Sequence, residues 1–406
     1  MVERQATARS RRLTAITHFG RGGVVEEWSI MIETTIGQIG FDSSLAKSLD
    51  PATNWRFHCE VMKALNLAEY KKFEYVDAPE PKLEEGEVLI KIKACGICGS
   101  DIHGMDGSSG RRQPPIIMGH EAAGTICEIG PKVGGSGWTV GDRVTFDSTV
   151  YCGECIYCTR GEVNLCQDRR VLGVSCDDYR QHGAFAEYVK VPTRILYRIP
   201  EALSFEQAAF AEPISIALHG VSLVPVKEGD TAVVVGAGLI GLLVVQALKI
   251  AGARKIIAVD LDEKRLALAR ELGADISIQA KDPDILSKIQ SETGGEGADV
   301  SMEVVGMTPT LNLAIHCLRK GGSAGLVGNL AATTEFPMQA VVTRQISLFG
   351  SCAATGEYAD ALKHIESGAI KIEPLISATA PLSEGADWFQ RLYDNKEGLL
   401  KVLLKP

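Results

Sequence analysis

Apolar residues follow two different spacings along this chain, and the change near residue 200 divides it. From residue 62 to about 199, short β-like runs alternate with glycine-rich turns. The Met-Lys-Ala-Leu-Asn-Leu run from Met62, residues 88–94, residues 124–129 and Arg143–Phe146 read as strands of a compact, mostly antiparallel β unit. From about Ser204 the texture changes. Apolar runs at Thr231–Val235, Lys255–Asp260, 300–305 and 324–327 predict parallel strands, each followed by a helical stretch. After Arg344 the pattern is less regular, with a strand near 346–349, a helix near 357–366 and a closing strand at 399–404. Residues 1–61 show no sustained periodicity and open Arg-rich, and Glu3, Glu26 and Glu27 dilute any transit-peptide pattern. They are expected to form a flexible extension.

The chain's 406 residues exceed one compact core, which predicts two domains. A net charge of −9 and the lack of any Lys/Arg run argue against a nucleic-acid surface. No apolar stretch reaches membrane-spanning length; the densest, residues 231–250, is broken by three glycines, so no membrane association is expected.

Eleven cysteines matter more than the overall composition. Cys152, Cys155, Cys158 and Cys166 fall at C-x2-C-x2-C-x7-C, and two-residue gaps are too tight for easy bridging among three neighbours. Four thiolates in one loop suit a closed tetrahedral Zn²⁺ site that holds structure. Metal use in a reducing cytoplasm accounts for the cysteine count better than disulfides do.

Two further patterns carry chemistry. Gly236-Ala-Gly238-Leu239-Ile240-Gly241 directly follows an apolar strand and opens a helix, the spacing of a dinucleotide pyrophosphate site. Asp260 closes the next strand, where a carboxylate accepts from ribose hydroxyls and repels a 2′-phosphate, favouring NAD; it could instead be a loop residue capping the next helix. Arg265 either assists at the ribose or is a solvated helix charge. Upstream, Cys98-Gly-Ser100-Asp101-Ile-His103 precedes Gly119-His120-Glu121. A thiolate and an imidazole from separate segments, with carboxylates nearby, make a three-donor zinc site with an open position. Cys95 and Cys98 could pair as a redox C-x-x-C, but the surroundings lack a thioredoxin-like start. His58 and His316 read as ordinary histidines.

Cys98 with Ser100-Asp101-x-His103, Gly119-His120-Glu121, the four-cysteine lobe, Gly183-Ala-Phe-Ala-Glu-Tyr188, Glu212-Pro213 and the Gly236 fingerprint together resemble the zinc-dependent medium-chain alcohol and polyol dehydrogenases, from Met62 to Pro406. The resemblance implies an α/β protein. A GroES-like β-rich catalytic domain would span 62–213 with the zinc lobe at 151–167, a doubly wound Rossmann domain 214–345, and residues 346–406 would return to the catalytic domain. It implies two zinc ions per chain and NAD. Cys98 and His120 would be ligands of the catalytic ion, and Glu121 either a direct ligand or a neighbour of one. Glu212 stands where sorbitol-type and sugar-alcohol-phosphate-type members carry a glutamate, so the two carboxylates could exchange.

Zinc would polarise a secondary hydroxyl until it ionises near neutrality, the proton leaving through Ser100 and His103 and hydride passing to nicotinamide, which gives a ketone. Asp101 either orients His120 or serves a local turn. The expected substrate is a polyol or sugar alcohol, with a sugar-alcohol phosphate or L-threonine as alternatives. Animal-type sorbitol dehydrogenases carry an Arg-Tyr pair after the strand that here reads Ser347-Leu348-Phe349, and a tyrosine after the relay histidine; this chain has Gly350-Ser351-Cys352 and Gly104 there. A catalytically silent zinc- and NAD-binding protein is the alternative of another class; the complete metal and relay set argues against it. Similar proteins are dimers or tetramers, and residues 324–328 either pair across a two-fold axis or form a buried central strand.

Overall fold

The computed structural model describes residues 61–406, and the expected N-terminal extension lies outside the described residues apart from Val61, which opens the strand Val61–Glu69. Two sheets carry the fold. The first is built around β1 (Glu87–Gly96), whose apolar positions are buried almost without interruption. On one side of β1 lie β2 (Glu121–Ile129) and β3 (Arg143–Phe146), and β4 (Tyr188–Pro192) also pairs with β1. The strand β5 (Leu196–Arg198) closes that edge against β3, and all these pairings are antiparallel. Their inward side chains, with Leu65, Leu67, Phe146 and Phe185, form one continuous core.

The second sheet has six strands, all parallel: β6 (Thr231–Val235), β7 (Lys255–Asp260), β8 (Ile276–Gln279), β9 (Ala298–Glu303), β10 (Leu318–Leu326) and β11 (Ser347–Gly350). Their order is β8-β7-β6-β9-β10-β11. All five residues of β6 are buried, as a central parallel strand covered by helices on both faces requires. The order reverses between β6 and β9, which opens a crevice at the carboxyl ends of those strands.

Five helices position the chemistry. They are α1 (Gly99–Met105), α2 (Ala211–Ser222), α3 (Leu239–Ile250), α4 (Glu263–Glu271) and α5 (Tyr358–Glu366). The helix α2 packs on α3 and α5 and also touches β2 and β10, so it joins the two sheets.

Two expected boundaries fall elsewhere. The helix α2 runs unbroken across 213/214, because Pro213 sits in its first turn, where a missing N–H costs nothing. The tail does not leave at residue 346: β11 pairs in parallel with β10, Ser323 opposite Ser347, after a crossover through the helix Met338–Thr343. The chain then rejoins the first sheet. A strand β12 (Ile376–Pro381) pairs in parallel with β13 (Lys401–Lys405), and β13 is antiparallel to β1, Leu404 opposite Cys95. Residues 324–326 lie between β9 and β11, which leaves them no free edge for a two-fold partner.

Candidate active site and metal centres

The end of β1, the helix α1 and the start of β2 meet at one point. The antiparallel register sets Gly96 opposite Glu121, so the turn after β1 delivers Cys98 beside His120 and Glu121. One donor atom from each of Cys98, His120 and Glu121 lies within 4.8 Å of the others. His120 is 5 % exposed and Glu121 1 %. Among the described residues, Glu121 Oε1 is buried without a hydrogen-bond partner, and so is His120 Nδ1. Such atoms are costly to bury unless something else satisfies them. A sulfur, an imidazole and a carboxylate with an orphaned oxygen fit a zinc ion.

Asp101, fully buried, stands behind this group. Its Oδ1 lies 3.5 Å from His120 Nδ1 and accepts from Arg112 Nη2 at 3.1 Å, while its Oδ2 accepts from the Cys98 N–H at 3.3 Å. One carboxylate therefore faces both expected partners: Oδ2 bonds the local turn, and Oδ1 stands near the His120 ring without a hydrogen bond to it. Burial opposes its charge, but His120 and Arg112 outweigh burial and hold Asp101 at about 2. Burial opposes a charged His120 as well, yet Asp101 and Cys98 raise it well above its ordinary value.

Glu212 does not join the donor group. It lies buried on α2, where its Oε1 accepts from Ser148 Oγ at 3.4 Å. Burial pushes it up to about 7, with His120 pulling down and Glu121 pushing up, so it feels the group without belonging to it. Ser100 and His103 both stand on the exposed side of α1. The Ser100 hydroxyl accepts from Arg112 Nη2 at 3.4 Å and makes no bond to His103. The relay expected from sequence is therefore not closed by these two side chains alone.

Two buried cations at the site escape a sequence reading. Lys401, 1 % exposed on β13, donates to the Ile97 carbonyl at 2.9 Å and forms a close ion pair with Glu121 Oε2. Burial works against its charge and Glu121 restores it, so its pKa is raised. Arg112, 5 % exposed, comes from a polar Gly-Ser-Ser-Gly-Arg-Arg stretch that reads as an ordinary loop. The only available signal for Lys401 is its parity with Leu403 in the closing strand.

The cysteine lobe is a second donor group. Cys152, Cys155, Cys158 and Cys166 place their sulfurs within 4.8 Å of one another. The Cys155–Cys158 and Cys152–Cys166 pairs are 3.5 Å apart, far beyond a disulfide bond of about 2 Å. Backbone N–H groups of Cys158 and Gln167 lower Cys155 to about 6, whereas burial and neighbouring sulfurs push Cys158 up to about 12. All four cannot ionise together unless a cation joins them, which is the behaviour of a closed zinc site.

The nucleotide turn sits between β6 and α3. Gly236 adopts φ +104°, and a Cβ on Gly241 would stand 1.9 Å from the Gly236 carbonyl oxygen, so both positions need glycine. A Cβ on Gly238 would meet nothing within 4 Å, and the α3 N-terminus at Leu239 and Ile240 has no side-chain cap. Open space before free N–H groups fits a pyrophosphate. Asp260 Oδ2 accepts from the Ala237 N–H at 2.6 Å, which draws the carboxylate onto this turn. Asp262, not Asp260, caps α4. Arg265, in the first turn of α4, keeps its Nε buried without a partner.

Comparison with known proteins agrees with this architecture. Residues 84–201 match the alcohol dehydrogenase GroES-like domain and residues 240–367 the zinc-binding dehydrogenase domain. A sorbitol dehydrogenase of Bacillus subtilis is 33 % identical over 350 residues, covering 85 % of this chain and 97 % of that protein. An Escherichia coli alcohol dehydrogenase solved with NADH superposes with a TM-score of 0.78 at 30 % identity, over 86 % of this chain and 100 % of that one. A zinc-binding dehydrogenase from Sinorhizobium meliloti solved with NADP gives 0.78 at 32 % identity, over 85 % and 99 %. On family matches in both halves and a relative aligned over most of its length, the chain belongs to the zinc-binding, GroES-like alcohol dehydrogenase family and is an oxidoreductase.

Proposed function

We propose that this enzyme oxidises a secondary hydroxyl of a polyol or sugar alcohol to a ketone, with NAD as acceptor. The observation that carries the reading is the Cys98–His120–Glu121 group, in which His120 and Glu121 are buried and Cys98 half-buried, joined through α2 to the glycine turn of the second sheet. Zinc held there would supply Lewis acidity to the substrate hydroxyl, and a bound nicotinamide would supply the hydride acceptor. Cys98, His120 and Glu121 hold the ion. Glu121 is the third donor in this reading because its carboxylate lies within 4.8 Å of the Cys98 and His120 donors and keeps Oε1 unpartnered among the described residues, while Glu212 stands outside that set. Glu212 stands behind as a buried carboxylate whose charge responds to the group. Ser100 receives the proton and His103, one turn on, delivers it to solvent. Their hydroxyl and imidazole need a bridging hydroxyl or water between them.

The polyol class is supported by the Bacillus subtilis relative, which is a sorbitol dehydrogenase. The test is an NAD-reduction screen over sorbitol, xylitol, galactitol 1-phosphate, 2,3-butanediol and threonine, with zinc analysis alongside. One strongly preferred polyol and two zinc ions per chain support the reading. Turnover with threonine alone, or with nothing, sinks it.

We infer that NAD is preferred over NADP, since the Asp260 carboxylate, held on the glycine turn by the Ala237 N–H, would repel a 2′-phosphate. Removing a like charge relieves repulsion of up to several kcal/mol, so Asp260→Ser should improve NADP use relative to NAD by about tenfold or more. An unchanged ratio of kcat/KM values would remove Asp260 from that role. We also place the enzyme in the cytoplasm as a homo-oligomer, dimer or tetramer. Among the described residues the edge strand β11 has no partner on one side, and Leu330, Phe336, Met338 and Val342 expose apolar surface in the segment leading to it. Sedimentation at micromolar concentration should give no monomer; a monomer would refute it.

A further inference from the structure

Arg112 is a charged side chain with almost no water around it, and nothing in the reaction outlined above uses it. Its aliphatic stem crosses α1 at Gly104, where an added Cβ would stand 2.2 Å from Arg112 Cγ and 3.1 Å from Arg112 Cβ. No side chain at residue 104 is compatible with that path. Beyond the helix a single nitrogen, Nη2, donates both to Asp101 Oδ1 at 3.1 Å and to Ser100 Oγ at 3.4 Å. Nη1 donates to the Arg111 carbonyl at 3.1 Å, and Nε is buried without a partner among the described residues. A buried guanidinium is expensive unless paired, so this placement is specified by its three acceptors, of which only Asp101 is charged.

We propose that Arg112 is a positioning residue for the dehydrogenase reaction: it threads past Gly104 and uses one nitrogen to clamp Asp101 behind His120 and to fix the direction of the Ser100 hydroxyl. The inference deepens the functional reading above and rests on it. An arginine only donates and stays charged, so Ser100 meets it with a lone pair and must turn its own proton away from it. That leaves one lone pair of Ser100 to take a proton from the substrate hydroxyl while the Oγ–H proton passes on towards His103. The serine ends as it began, and one proton has moved outward. On the other side, Asp101 is held against the His120 ring by the same contact, and a carboxylate behind a ligating histidine fixes the ring's orientation.

The test compares Arg112→Met, Arg112→Lys, Gly104→Ala, Arg112→Ala and the Gly104→Ala/Arg112→Ala double variant. The readouts are steady-state kinetics with sorbitol or xylitol, whichever the wild type turns over faster, NADH fluorescence titration, and zinc release to a chelator. Loss of positioned proton transfer is worth a hundredfold or more in full, so Arg112→Met should lower kcat by about tenfold or more while KM for NAD and NADH affinity stay within about twofold. Loss of support behind a ligating histidine costs about ten- to a hundredfold in metal affinity, so zinc release from the catalytic site should quicken to match. Arg112→Lys keeps the charge but not the fork; it should recover stability without recovering kcat, and it decides the matter if Arg112→Met does not fold. Gly104→Ala should mimic Arg112→Met in the wild type and add little in the Arg112→Ala background. Wild-type kcat and zinc release in Arg112→Lys, or an equal Gly104→Ala loss in both backgrounds, would overturn the proposal. A wild type that oxidises no polyol fails the functional reading instead, and zinc release then still decides the role of Arg112.

Discussion

Cys98→Ser should reduce turnover by about a thousandfold or more, since a metal's Lewis acidity contributes several kcal/mol and each ~1.4 kcal/mol is tenfold in rate. The sulfur is one of only three donors in the group, and serine's hydroxyl is a far poorer partner for zinc than a thiolate. NADH binding should persist, because the nucleotide turn belongs to β6 and α3 and takes nothing from α1. Zinc content should fall from two ions per chain to one. Stopped-flow turnover, NADH fluorescence and metal analysis on the same preparation separate these effects. A kcat equal to wild type would withdraw Cys98 from the reaction, and with it the whole active-site assignment.

Cys155→Ser should strike stability instead. Structural zinc contributes about 10–16 kcal/mol of apparent binding energy in zinc-finger peptides, so losing one donor in four costs roughly a few kcal/mol. At about 2–4 °C per kcal/mol for larger domains, the melting temperature should drop by at least about 5 °C. The lobe buries little apolar surface of its own and is tied to the rest of the chain mainly by hydrogen bonds such as Asn164 Nδ2 to the Cys352 carbonyl and Thr355 Oγ1 to the Gly161 carbonyl. Within it, the 3₁₀ turn Cys158–Arg160 has no buried residue, and the turn Val163–Leu165 buries only Asn164. After chelation all four lobe thiols should titrate as free sulfhydryls, the state a reducing compartment maintains. Unchanged melting and unchanged zinc content would refute the lobe's role. Thiols already oxidised in the purified protein would count against a cytoplasmic home.

Legibility differed by residue type. The nucleotide turn was readable because its glycines answer a local demand. Gly236 needs a positive φ and Gly241 a close approach, and both requirements act within a few residues. The cysteine lobe was readable because its four donors sit within fifteen residues of sequence. Strand cores such as Thr231–Val235 declared themselves because a parallel strand buried on both faces must be continuously apolar. The strand near 346–349 was visible as a strand, but its partner was not. Nothing in Ser-Leu-Phe-Gly says which of two sheets it will extend, and register against β10 decided it.

What the amino-acid sequence determined by itself, then, is every feature whose cause is short-range: turn glycines, metal-donor spacing, strand and helix periodicity. What only the tertiary structure decided is how charge is balanced in the buried centre. Lys401 reaches Glu121 across 280 residues of chain, while Arg112 reaches Asp101 only by crossing a helix at Gly104. The same balance leaves Glu121 with a free oxygen and gives Glu212 to Ser148 instead. A carboxylate in low dielectric must take whichever cation or donor the fold brings within reach. That choice is made by strand pairing and helix packing, and no local pattern of residues encodes it.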